Sequence, residues 1–337
     1  MRHVMIRLAL LAVSVAVALG TGEVGLRIGG YTPGNVNPLM GFNQRDPVLG
    51  HRGRPHFSRR FTQPDFDVAV AHDADGFRVP ARPPAGPPHV LVFGDSFTWG
   101  WGVDQGQVFT DVLAAARQDI GVHNLAISGT ATVVAYKLFE TTGWRARIAA
   151  GDTVIVSFFR NDFDDNLSGR LRGRPDGTTE VADPTWNERF DRLKSLSYLF
   201  NFVAFQVEQR VKLHRGAQLE SMGLAAESVS VARQFLGKFQ DDCRSRQARF
   251  LVLAIPDRSL FGEGTVKAED FPHGRVAHDT LLALTKQLGI DTLDLLPVFR
   301  QAARVAPLTF ERDPHWNARG HAIAARVVEE ALANQTP

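Results

Sequence analysis

The sequence predicts an α/β protein whose parallel β-sheet is covered by helices on both faces. Three observations lead there. From residue 90 onward, short β-branched and aliphatic runs recur, with segments of helical apolar spacing between them. The strand candidates are apolar along their whole length rather than alternating, as strands buried on both faces are. The chain has 337 residues, 44% hydrophobic and 22% charged, which suits one large domain or a domain with a small satellite.

The elements follow in order. Residues 1–7 are basic, Leu8 to Leu19 is an unbroken apolar run with one serine, and Gly20-Thr-Gly-Glu breaks it. A basic start before a short apolar run is a secretory signal. Residues 1–20 therefore read as a signal peptide, cleaved after Ala18-Leu-Gly20, or as a retained signal anchor beginning at Val4. Either way the protein is expected to be exported, periplasmic or otherwise extracytoplasmic, and to touch membrane only through this segment. No cysteine follows the run, so a lipid-modified anchor is excluded.

Residues 21–88 read as a loop-rich N-terminal segment with a few short strands, such as Phe66 to Val70, closed by a stiff proline cluster from Pro80 to Pro88. The main domain is expected over residues 89–337. Its strands are predicted at 90–93, 122–126, 153–159 and 250–255, with a fifth starting at Ile290. Its helices are predicted at 108–116, 130–150, 231–246, 280–288 and 318–333. Residues 166–226 break the rhythm and read as an insertion. It holds a loop, Gly169 to Gly177, and a helix over 190–213 with Leu193, Leu196, Leu199, Phe200, Val203, Val207 and Val211 on one stripe. It is expected to lie over the sheet as a lid or substrate wall, or to pack as a plain amphipathic helix.

A net charge of +2 gives no electrostatic argument for nucleic acid. The single cysteine, Cys243, closes no intramolecular disulfide and reads as a half-buried side chain near a helix end. No cofactor is implied, and no metal site.

The chemistry gathers at a few positions. The strand at 90–93 runs into Gly94-Asp-Ser-Phe-Thr, placing Ser96 at the carboxyl end of a strand, where open α/β sheets bind ligands. Residue 98 is threonine, so the G-x-S-x-G elbow is absent. Alone, Ser96 reads as well as a helix cap as it does as a nucleophile. A base is offered near the chain end, where Asp313-Pro-His315 allows a carboxylate to fold back onto the imidazole. His321, six residues on, reads as a packing histidine. Zinc held by Asp313, His315 and His321 is disfavoured, since no further ligand has zinc-type spacing. Gly129, after the second strand, and Asn161, after the third, are candidate oxyanion donors. Asp162, Asp164 and Asp165 read as a solvated acidic loop, since the glycine and downstream glutamate of a calcium loop are missing.

Taken in order, the Gly94-Asp-Ser96, Gly129, Asn161 and Asp313-x-His315 blocks resemble the four sequence blocks of the SGNH/GDSL hydrolase superfamily, over residues 88–333. The resemblance implies a three-layer α/β/α flavodoxin-like fold with a five-strand parallel sheet. It implies Ser96 as nucleophile, His315 as base and Asp313 as its orienter. It also implies an oxyanion hole from the Ser96 and Gly129 N–H groups and the Asn161 side chain. Many members carry Asp-x-x-His. The shorter spacing here is similar to bacterial polysaccharide-acetylation proteins. The segment His72-Asp-Ala-Asp-Gly-Phe-Arg78 resembles one in envelope-associated members and suggests Arg78 as a substrate-binding residue at the site mouth. The expected activity is esterase action on a carbohydrate acyl ester, acetyl above all, or on a small ester. The alternatives are O-acyl transfer to a cell-envelope polysaccharide, by the same residues, and a catalytically silent glycan-binding protein.

Overall fold

The computed structural model describes residues 2–30, 41–183, 193, 196–204, 206–207, 210, 224–264 and 272–334. The chain forms two compact units, one from Met1–Met40 with Asp183–Gln218 and one from Gly41–Ala182 with Leu219–Pro337. The smaller unit contains α1 (Arg2–Ile28), apolar on all sides, and helical residues at 198–204 and 206–207. Much of the predicted 190–213 helix lies outside the described residues.

The larger unit opens with two antiparallel hairpins, β1 (Asn43–Asp46) with β2 (Gly50–Gly53) and β3 (Ser58–Gln63) with β4 (Phe66–Ala71). The central sheet then forms from β5 (His89–Phe93), β6 (Gly121–Asn124), β7 (Thr153–Phe158), β10 (Arg249–Ala254) and β11 (Asp291–Asp294). All pairings are parallel, in the order β11-β10-β7-β5-β6. A small hairpin, β8 (Leu171–Gly173) with β9 (Thr179–Val181), lies between β7 and β10 in sequence. The helices are α2 (Ser96–Trp99), α3 (Phe109–Ala116), α4 (Thr132–Thr141), α5 (Trp144–Arg147), α6 (Asp162–Ser168), α7 (Ala226–Ser245), α8 (Pro272–Leu288), α9 (Leu296–Ala303) and α10 (Ala318–Ala333).

Strand side chains alternate between two cores, which makes the three layers. Leu91, Phe93, Val154, Val156, Val252 and Ala254 pack with residues of α4, α7 and α8. Val90, Val92, Ile155, Leu251 and Leu253 pack with residues of α3, α9 and α10. Both faces are thus buried, which is why these strands read as continuous apolar runs. The order is that of flavodoxin-like sheets, with the turnover in direction between β5 and β7.

Several expectations change. Residues 41–71 are hairpins of the same compact unit as the sheet, joined through an aromatic core of Phe42, Phe57, Phe61, Phe66, Trp99 and Trp101. The helix predicted over 130–150 breaks at Gly143, whose φ of 78° is left-handed, giving α4 and α5. The 169–177 loop is the β8–β9 hairpin, inside the larger unit. Residues 183–218 of the predicted insertion belong instead with α1. Cys243 is fully buried in the core, not half-buried.

Candidate active site

Ser96 owes its position to its neighbours. A Cβ on Gly94 would sit 2.4 Å from Thr98 Oγ1 and 3.0 Å from Ser157 Cβ, so only glycine lets the chain leave β5 this tightly. The helix cap is Asp95, whose Oδ1 accepts from Phe97 N at 3.0 Å. Ser96, the first residue of α2, is thereby released from capping, and its hydroxyl donates to His315 Nε2 at 2.7 Å.

His315 comes from the loop ahead of α10, and that loop is fastened at many points. Phe310 N donates to His315 O at 3.1 Å. Asn317 caps α10 by accepting from Arg319 N and Gly320 N, while its Nδ2 donates to Pro307 O and Thr309 O. Trp316 is completely buried. Asp65, in the β3–β4 turn, accepts from Arg312 N at 2.9 Å and Asp313 N at 2.8 Å through Oδ2. Arg258 donates to the carbonyls of Phe310, Glu311 and Asp313.

On this loop Asp313 Oδ1 accepts twice from the same residue, from His315 Nδ1 at 2.6 Å and His315 N at 2.9 Å. Its other oxygen accepts from Trp101 Nε1 at 3.0 Å. Burial raises the Asp313 pKa, but these donors more than offset it, and the net result lies below the usual carboxylate range. An ionised Asp313 fixes the proton on Nδ1, leaving Nε2 to accept from Ser96. Phe97 and Trp101 flank the imidazole, with centroids 4.7 Å and 5.2 Å away, the Trp101 ring nearly parallel to it.

Gly129 and Asn161 stand past the carboxyl ends of β6 and β7, the strands on either side of β5. The first of these loops is tied to the nucleophile turn: Ile127 N donates to Gly94 O at 3.2 Å. Gly129 is exposed with a left-handed φ of 79°. Asn161 Nδ2 donates to Asp165 Oδ2 at 2.6 Å, and its Oδ1 is buried with no hydrogen-bond partner among the described residues. One amide hydrogen is thus held by Asp165, and the second remains for another acceptor. Direct hydrogen bonds join Ser96, His315 and Asp313. None joins Gly129 or Asn161 to them.

The acidic trio is not a solvated loop. It forms the first turn of α6, where carboxylates complement the helix dipole. Asp162 is buried and accepts from Thr132 N, Thr132 Oγ1 and Phe159 N. Its burial, together with the nearby Asp95 charge, drives its pKa well up. Burial likewise pushes Asp95 and Asp165 up to about 6 each.

Arg78 is not at a site mouth. Its side chain is buried, lies over the Trp99 ring at 5.0 Å, and donates to the carbonyls of Trp99, Gly100 and Val103. The guanidinium is committed to the backbone and instead shapes the loop that presents Trp101. His321 is buried and packs near-parallel to Phe109, and burial takes its pKa down to about 3.

Sequence reasoning missed Trp101, Asp65 and Asp165. Trp101 carried a signal, an aromatic residue in Thr98-Trp-Gly-Trp-Gly102 directly after the nucleophile turn. Asp65 carried none, because its partner lies 248 residues away.

Residues 214–337 match the model of a family described as ALGX, SGNH hydrolase-like domain, acetyltransferase AlgX. That stretch includes Asp313 and His315 but not Ser96. No curated protein matches the sequence. Among solved structures, the chain is similar to a lipolytic protein of the G-D-S-L family from Veillonella parvula, at 13% identity over 73% of this chain and 98% of that one, TM-score 0.44. It is similar to an α/β hydrolase from the metagenome of Lake Arreo, Spain, at 12% identity over 75% and 98%, TM-score 0.46. It is also similar to an acetyl xylan esterase, at 14% identity over 72% and 98%, TM-score 0.41. The family match falls on the stretch that carries Asp313 and His315, and Ser96, past the carboxyl end of β5, hydrogen-bonds to that histidine. Over residues 214–337, then, the chain is similar to an SGNH hydrolase-like domain.

Proposed function

We propose that the protein cleaves acyl esters of carbohydrates, acetyl esters above all, through an acyl-Ser96 intermediate, outside the cytoplasmic membrane. The observation that carries this reading is the unbroken hydrogen-bond chain from Ser96 Oγ through His315 to Asp313. A serine hydroxyl is a weak nucleophile until a base takes its proton.

Ser96 Oγ attacks the ester carbonyl carbon as its proton passes to His315 Nε2. The imidazolium is stabilised by ionised Asp313. The carbonyl oxygen becomes an oxyanion, held by the Ser96 and Gly129 N–H groups and the free Asn161 amide hydrogen. The bond to the leaving sugar oxygen breaks, and His315 returns the proton to that oxygen. Water, deprotonated in turn by Nε2, attacks the acyl-serine, and acetate leaves as Oγ recovers its proton.

The match to a family described as an acetyltransferase favours a second reading, in which a saccharide hydroxyl replaces water in the last step. The same residues serve both, since either acceptor must lose a proton to His315.

Purified protein should release acetate from acetylated oligosaccharides or an aryl acetate. Ser96→Ala should lower kcat by at least about 10³-fold. Full activity in the alanine variant would remove the proposal. Acetylated saccharide appearing at the expense of free acetate, when an acceptor is added, would select transfer.

A further inference from the structure

Helix α1 has no buried residue over its 27 residues, and its mean hydropathy reaches 2.2. It is long enough to cross a bilayer, and an isolated helix apolar on every side is of the membrane-spanning kind. Its last turns differ in character. Gly22, Glu23 and Leu26 are partly covered, whereas residues 11–21 are exposed.

The cover comes from the helical segment that starts near Ser197. Glu23 accepts from Ser197 Oγ at 2.9 Å, Tyr198 N at 3.0 Å and Leu199 N at 2.9 Å. A carboxylate on one helix thus caps the exposed N–H groups of another. Arg27 pairs with Glu23 at 2.6 Å and lies over the Tyr198 ring at 4.3 Å. A Cβ on Gly22 would sit 3.3 Å from Leu199 Cδ2, so the glycine admits this close approach. Among the described residues, contact between the second segment and α1 is confined to this end.

Val203 and Val207, four apart, share one helical face. They are exposed by 51% and 57%, whereas Asn201 on the opposite side is buried. Exposed Arg210 follows, and the sequence continues with Lys212, His214 and Arg215. Large aliphatic side chains on one face, with cations close behind, match the chemistry of a lipid surface with anionic headgroups.

We propose that the helical residues 198–204 and 206–207 lie on the phospholipid surface beside the point where α1 enters the bilayer, with Val203 and Val207 turned into the headgroup–acyl boundary. The Glu23–Arg27 clamp sets the depth. It is polar, it sits at the end of the apolar run, and it holds the start of the segment at that level. The inference does not depend on the catalytic reading.

The test uses the full chain reconstituted into phosphatidylcholine–phosphatidylglycerol vesicles. Val203→Cys and Val207→Cys are each labelled with an environment-sensitive fluorophore. The native Cys243 is buried and stays unlabelled in the folded protein. Lipids bearing a nitroxide near the headgroup should quench both labels several-fold more than a label at Val305→Cys, a site 81% exposed in the larger unit. A label at Val13→Cys, quenched by nitroxides deep in the acyl chains, reports that α1 spans the bilayer. If Val13→Cys is quenched but the 203 and 207 labels behave like Val305→Cys, the face is in water or under protein and the proposal is overturned. If Val13→Cys is not quenched either, α1 is outside the bilayer and the proposal fails with it.

Discussion

Trp101 touches both members of the base pair, stacking on His315 and donating to Asp313. Trp101→Phe keeps the stack and removes the donor. A hydrogen bond to a charged group is worth about 1.5–3 kcal/mol, so kcat/KM should fall at least about tenfold with the melting temperature nearly unchanged. Asp165 acts one step further out, holding the amide of Asn161. Asp165→Asn should lower kcat by about tenfold and leave KM little altered, because a loosened oxyanion donor matters most in the transition state. An unchanged kcat would mean that Asn161 needs no help. Ser96, Asp313 and His315 were legible in the sequence because they stand, in order, in blocks that resemble those of a known family, and not because any one residue type is decisive alone. Their supports were not, since a tryptophan or an aspartate serves many purposes and only proximity singles one out.

The loop from Gly100 to Val103 is an element with no regular structure of its own, and buried Arg78 is its scaffold. Arg78→Ala would leave the carbonyls of Trp99, Gly100 and Val103 without that donor, at about 1–3 kcal/mol for each one left unpaired. A drop of that size in urea unfolding, with activity falling alongside because Trp101 loses its mount, is the expected outcome. A variant of unchanged stability would show that the arginine is dispensable. At this scale the central strands were readable, because burial on both faces leaves no polar residues to confuse the pattern. Of the hairpins only β4 was, at Phe66 to Val70; its partner Ser58-Arg-Arg-Phe-Thr-Gln63 is mostly exposed and buries only Phe61 against the aromatic core. The β8–β9 hairpin is likewise only three residues a strand, too short for a period to register.

Over the whole molecule, buried ionisable groups pull stability in opposite directions. Asp95, Asp162 and Asp165 hold protons more tightly folded than unfolded, so they favour the native state less as pH rises from about 4 towards 6. His72, His123 and His321 hold protons less tightly folded, so over the same interval they favour it more. The two sets oppose each other, so the urea midpoint should change less between pH 4 and 6 than either set alone would make it. Asp165→Asn removes one carboxylate and tilts the balance. Its stability relative to the parent should be unchanged near pH 4 and greater by about 3 kcal/mol above pH 6. A variant that is steadier yet slower would separate the two duties of this residue. None of this balance was visible in a net charge of +2, which counts charges without saying which are buried.

Asp313 and His315 sit on one tripeptide whose backbone N–H and ring N–H reach the same carboxylate oxygen. The pair is therefore preassembled before any substrate arrives, and no domain closure is needed to mate base with orienter. What the pair still needs is Ser96, and the fastenings of its loop to Asp65, Arg258 and Asn317 hold it within 2.7 Å of that hydroxyl.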